Sequence, residues 1–113
     1  MIRAHFSSDP EGRIREVTLE GHADFTDSGT DPLCAAVTGA LTLAVNILTE
    51  VLGLAPDISA EHAGSFRLCL PEGQRERAKE VLYGLRLQLQ DYEAQYPENI
   101  RVTVKDGKGK QSC

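Results

Sequence analysis

Between Pro32 and Leu52 apolar residues crowd more than one face of a helix, and that excess limits how the rest of the chain can be arranged. Val37, Leu41, Ala44, Leu48 and Val51 recur at helical spacing, while Leu43, Val45 and Ile47 lie outside that stripe. A helix of this kind needs cover on more than one side, and a second subunit can supply part of it. Its ends are marked in the sequence. Asp31 offers a carboxylate to the first-turn N–H groups, Pro32 stands where no donor is needed, and Gly53 stops the helix. A second helix is expected from about Gln74 to Tyr96, with Ala78, Leu82, Leu85, Leu89, Tyr92 and Tyr96 as a single stripe among charged neighbours.

Strands flank both helices. Ile2, Ala4 and Phe6 alternate with Arg3 and His5; after the turn residues Asp9-Pro10-Glu11-Gly12, Val17 and Leu19 alternate with Thr18 and Glu20. These two segments predict a hairpin. Ser65 to Leu70, with Phe66, Leu68 and Leu70 on one face, and Ile100, Val102 and Val104 predict two more strands. The order β-β-α-β-α-β implies right-handed crossovers and one mixed sheet of about four strands with both long helices packed on it. No repeat or linker divides the chain, so residues 1–113 are expected to form one domain, with about 106–113 as a flexible tail. A chain of this length buries roughly two-thirds of its unfolded surface, enough for a core without staples.

Composition narrows the function classes. Cys34, Cys69 and Cys113 are odd in number and irregularly spaced, which argues against a disulfide framework and for a reducing compartment. No close His or Cys spacing supports a metal site, and no cofactor is implied. The N-terminus lacks the pattern of a secretory signal, and no apolar stretch is expected to span a membrane, so the reading is a soluble cytoplasmic protein. A net charge of -5 disfavours direct nucleic-acid binding and suits a basic protein or peptide better.

Gly21 to Asp31 is small, polar and aperiodic, the kind of long connection that often carries function. Cys34 falls in the first turn of the helix that follows, where amides without intrahelical partners and the positive end of the dipole favour a thiolate and can stabilise an oxyanion. The plain alternative is a small buried residue opening a core helix. His22, at the end of the second strand, faces the return of the chain to Cys34, an arrangement suited to a Cys-His pair, although strand-end histidines are often simple surface residues. His5 and His62 read as solvated. Asp31 can orient His22 or merely cap the helix, and Thr38, one turn after Cys34, can aim its hydroxyl at the thiol or at a backbone carbonyl. Ala23, Asp24, Phe25, Thr26, Asp27, Ser28, Gly29 and Thr30 form a candidate loop that closes over an extended substrate. Cys69 reads as structural and Cys113 as a tail residue.

Gly21-His22-Ala23 followed by Gly29-Thr30-Asp31-Pro32-Leu33-Cys34-Ala35-Ala36-Val37-Thr38 resembles the signature of the ribosomal-processing cysteine protease family, Prp. The resemblance implies an α+β two-layer sandwich that forms homodimers, with Cys34 and His22 as the dyad. It also implies a substrate, the N-terminal extension of a large-subunit ribosomal protein, cut after an aromatic residue. Thr38 departs from the serine associated with the family and keeps the hydroxyl. Two other readings are a non-catalytic ribosome-associated module that binds the same peptide, and a thiol sensor using Cys34, for which no nearby second cysteine is evident.

Overall fold

The computed structural model describes residues 1–21, 32–60 and 64–106. Strands β1 (Ile2–Ser8) and β2 (Ile14–Glu20) pair antiparallel, with Ala4 opposite Leu19 and Phe6 opposite Val17, so their alternating apolar residues share one face. Helix α1 (Pro32–Asn46) and a wider π turn (Ile47–Val51) follow, then β3 (Asp57–Ser59) and β4 (Ser65–Cys69). A short 3-10 turn, Glu72–Gln74, leads into α2 (Arg75–Gln95), and β5 (Ile100–Lys105) closes the fold.

The sheet order is β3-β4-β2-β1-β5, with β1 and β5 parallel and the other neighbours antiparallel. Each helix therefore joins two parallel strands: α1 carries the chain from β2 past β4 to β3, and α2 carries it from β4 across to β5. Five strands stand where about four were expected. The extra one, β3, has three exposed residues and only Ile58 is apolar, so it offers no alternation to read.

Ile2, Ala4, Phe6, Val17, Leu19 and Leu68 form the buried sheet face, met by Leu33, Val37 and Ala44 from α1, Leu48 from the π turn, and Ala78, Leu82, Leu85 and Leu89 from α2. The opposite face carries Arg3, His5, Thr18 and Arg67 in register. This is the two-layer α+β arrangement. Helix α1 and its π turn are long and apolar enough to cross a membrane by composition, contrary to the expectation that no stretch approaches that length. Their apolar side chains are used otherwise: one stripe seats on the sheet, and a second borders an open groove against α2, where Leu43 is 62% exposed. The helix ends as expected at Gly53, which has φ +68°, while the Leu54 amide reaches back to the Leu48 carbonyl at 2.8 Å.

Cys69 is fully buried at the end of β4 and is disulfide-bonded. That corrects the reading against disulfides, since irregular spacing along a chain does not measure distance in the fold. Cys34 is not part of a disulfide.

A buried ion network ties the β1–β2 turn to the start of α2. Asp9, 2% exposed, accepts hydrogen bonds from the Glu11 amide at 2.9 Å and the Arg13 amide at 3.0 Å, and pairs with the Arg13 guanidinium. Arg75, also 2% exposed, donates to the Leu70 carbonyl at 2.9 Å and reaches Asp9 at 3.4 Å. Burial by itself raises the Asp9 carboxyl; hydrogen bonds from the Arg13 amide and guanidinium and from the Glu11 amide outweigh it and hold the group below its ordinary value. The native state therefore binds fewer protons at Asp9 than the unfolded chain. Its contribution to stability is complete above the unfolded value of about 3.9 and is lost as pH falls through the folded one. Asp9→Asn is expected to cost roughly 3 kcal/mol in urea unfolding at neutral pH, because it removes the buried carboxylate shared by Arg13 and Arg75 and leaves the buried Arg75 only the exposed Glu72 as a counter-charge. The gap to the parent should narrow in strongly acidic buffer; equal stability at neutral pH would refute the clamp.

Candidate active site

The other end of the sheet, where β1 begins and β2 ends, holds the cleft. Gly21 closes β2 with φ +93°, and its amide donates to the Gly64 carbonyl at 2.9 Å, which ties the exit of β2 to the entry of β4. A Cβ on Gly21 would lie 2.2 Å from the Met1 carbonyl oxygen, so only glycine lets the chain turn out of the sheet here. The next residue is His22. Helix α1 starts at Pro32, as the sequence predicts, and places Cys34 in its first turn, half-buried against the core.

Cys34, Thr38, Gly21, Gly64 and Ser65 border a cavity of about 310 Å³ whose apolar walls are Ile2, Leu19, Val37, Leu41 and Phe66. Thr38 lies one helical turn from Cys34, and both line the cavity. The structure thus brings together Gly21, Cys34 and Thr38. His22, the segment from Ala23 to Thr30, Asp31 and His62 lie outside the described residues.

Glu20, Gly64, Ser65 and Phe66 also line the cleft and were not singled out from the sequence. Their place follows from register: Glu20 pairs with Ser65 and Leu19 with Phe66. Gly64-Ser65 at a strand start was the available signal, but pairing partners are not written in local sequence. His5 points to the opposite sheet face, half-buried, and its Nδ1 is hydrogen-bonded to the Thr103 hydroxyl rather than simply solvated. The carboxylates of Asp9, Glu11 and Glu72 converge at the far end of the sheet around Arg13, whose guanidinium lies 3.0, 2.7 and 2.6 Å from them. Arg13 pairs with all three, and Arg75 with Asp9 and Glu72, so the cluster is already engaged in ion pairs.

A cysteine outside any disulfide at the positive end of a helix, opening onto an apolar cleft large enough for a peptide side chain, is the arrangement of a thiol hydrolase of peptides. Comparison with known proteins gives the family. The family model for cysteine protease Prp matches residues 1–101, and the chain belongs to that family. It is 30% identical over 106 residues to the ribosomal processing cysteine protease Prp of Staphylococcus aureus, covering 93% of this chain and all of the relative. It is 32% identical over 109 residues to the protein of the same name from Bacillus subtilis, covering 92% of this chain and 97% of the relative. The crystal structure of the essential S. aureus protease with a covalently linked product peptide matches with a TM-score of 0.85 at 30% identity, over 93% of this chain and all of that one. The same protease with a substrate peptide gives 0.81 at 29%, with the same coverage.

The contact between Gly21 and Met1 yields a direct test. Gly21→Ala must move backbone and adopt an unfavourable φ, a combined cost of about 2–4 kcal/mol. Gly12→Ala is the matched control, since Gly12 has a similar φ of +85° and nothing within 4 Å of where the alanine methyl would sit. Thermal unfolding should place Gly21→Ala well below Gly12→Ala; equal melting temperatures would show that the contact at Gly21 does not constrain the cleft.

Proposed function

We propose that this protein removes the N-terminal extension of a large-subunit ribosomal protein, with Cys34 as nucleophile and His22 as general base. The observation that carries the reading is the position of Cys34, outside any disulfide, at the start of α1 on the rim of the apolar cleft. The S. aureus relative, alike in fold, holds a covalently linked product peptide. In the reaction, His22 takes the thiol proton and the Cys34 sulfur attacks the scissile carbonyl carbon. The carbon–nitrogen bond then breaks as the imidazolium returns the proton to the departing amine, leaving a thioester. A water molecule, deprotonated by His22, attacks the thioester and releases the carboxylate product. Amides of the first turn of α1 are suited to hold the developing oxyanion.

Asp31 fits the role of orienting His22 while capping α1, and Thr38 that of a hydroxyl facing the thiol. The segment Ala23 to Thr30 would close over the bound peptide. The apolar walls of the cleft suit an aromatic side chain before the scissile bond. The setting is cytoplasmic, no cofactor or nucleic acid is needed, and the working form is a homodimer. The groove between α1 and α2 supports that last point: about 560 Å³ lined mostly by small and apolar residues, with Glu80 and Gln88 among them and Leu43 exposed.

The function is tested by incubating the ribosomal protein carrying its natural extension with the parent enzyme, Cys34→Ala and His22→Ala, and following fragment masses. Cleavage at one site by the parent, reduced at least about a thousandfold in each variant, is expected. A folded parent that binds the extension without cutting it would leave a peptide-binding module instead. For the assembly, Leu43→Glu should convert a dimer into a folded monomer in sedimentation equilibrium; a dimer unaffected by that charge would place the interface elsewhere.

A further inference from the structure

Parallel pairing fixes which backbone groups of β5 face away from the sheet. The Ile2 amide donates to the Asn99 carbonyl at 2.9 Å, and Ile2, Ala4 and Phe6 stand opposite Ile100, Val102 and Val104. In a parallel ladder of that register Arg101 and Thr103 turn their backbone groups toward β1, while Ile100, Val102 and Val104 turn theirs outward. β5 is the last strand in the sheet order, so these outward groups form an edge on which a further strand can add.

Two of the three outward amides are already engaged. Ile100 donates to the Tyr96 carbonyl at 3.2 Å, within the connection from α2. The Val102 amide donates to a carboxylate oxygen of Glu93 at 3.1 Å. Glu93 is half-buried and lies in the last turn of α2. The helix itself gains nothing from an acid there: that turn is the negative end of the dipole, and it holds no basic residue. None of the ion pairs among the described residues includes Glu93. Its contact with the β5 edge is therefore the interaction that accounts for its place.

The partner that fits this edge is a second copy of the chain. Two β5 strands related by a two-fold axis at Val102 pair antiparallel, with Ile100 opposite Val104 and Arg101 opposite Thr103, so no like charges meet. Val104, 42% exposed, loses water in that pairing. The opposite edge offers no such template, since β3 has only three residues. A strand arriving at β5 must displace a charge-assisted hydrogen bond at Val102 and bring its own carbonyl oxygen against the Glu93 carboxylate.

We propose that the outer edge of β5 is a self-association surface of this chain and that Glu93 holds it closed by occupying the Val102 amide. The surface is separate from the groove between α1 and α2. A subunit using both contacts would assemble past a dimer, and the carboxylate prevents that.

The test is sedimentation velocity of the full chain over a range of concentrations, for the parent, Glu93→Ala and the double variant Glu93→Ala/Val104→Pro. Glu93→Ala should form a larger species than the parent, with association at least about tenfold tighter. Its melting temperature at low concentration should stay within about 5 °C of the parent, because relief at the helix end offsets the lost hydrogen bond. Proline at Val104 removes an outward amide and leaves the ladder to β1 intact, so the double variant should return to the assembly state of the parent. Amide exchange supplies a readout that needs no second variant: the Val102 amide should be protected in the parent, lose protection in dilute Glu93→Ala and regain it on association. Sedimentation of Glu93→Ala identical to the parent at every concentration would overturn the proposal. So would a larger species that leaves the Val102 amide unprotected, which places the contact elsewhere. A larger species that forms only as the circular dichroism of the fold is lost would make Glu93 a plain structural contact.

Discussion

Seating α1 on the sheet is the interaction on which the rest of the structure depends. Leu33, Val37, Ala44 and Leu48 are its buried stripe, and Leu33 and Val37 flank Cys34 in the first turns. A fully buried leucine contributes about 1.5–3 kcal/mol, so these residues hold the helix start at a fixed height above the end of the sheet. The thiol is thereby presented at the cleft by packing that has no chemical role of its own. The same seating leaves the second apolar stripe of α1 facing the α2 groove, which is why a helix so apolar fits a sandwich with an uncovered flank.

The two ends of the sheet are built by different physics. At one, Asp9, Arg13 and Arg75 form a compensated ionic clamp, with most of their donors and acceptors satisfied by short contacts that include backbone groups. At the other, Gly21 and Gly64 use positive φ and a close backbone approach to end β2 and begin β4 around an open cavity. Closure by ion pairs at the clamp and an open apolar cavity at the other end divide the sheet into a scaffold end and a cleft end. Arg75 links the clamp to α2, so the helix that borders the apolar groove is anchored from the scaffold side.

Much of this was legible in the sequence because each local signal agreed with its surroundings. Strict alternation at Ile2, Ala4 and Phe6, the Asp9-to-Gly12 turn, Pro32 and Gly53 as helix bounds, and the single stripe of α2 all mark elements that the fold contains. The placement of Cys34 in a first turn follows from Pro32 alone. β3 was not legible, because three exposed residues gain their conformation only by pairing with β4. Nor was the cleft wall: Glu20, Ser65 and Phe66 come together through strand register, and Ile2 through the approach of β1, none of which is local. The buried Asp9 carboxylate resembles an ordinary turn residue because its partner Arg75 lies 66 positions away.

The central claim is that peptide hydrolysis proceeds through a bond to the Cys34 sulfur, and the most direct measurement is rapid acid quenching of a single turnover with enzyme in excess, followed by intact mass analysis and peptide mapping. The account predicts a transient adduct with the mass of the N-terminal fragment, attached at Cys34 and lost as the free fragment appears. Fragment released at full rate with no covalent species, or an adduct mapped to any other residue, would contradict it.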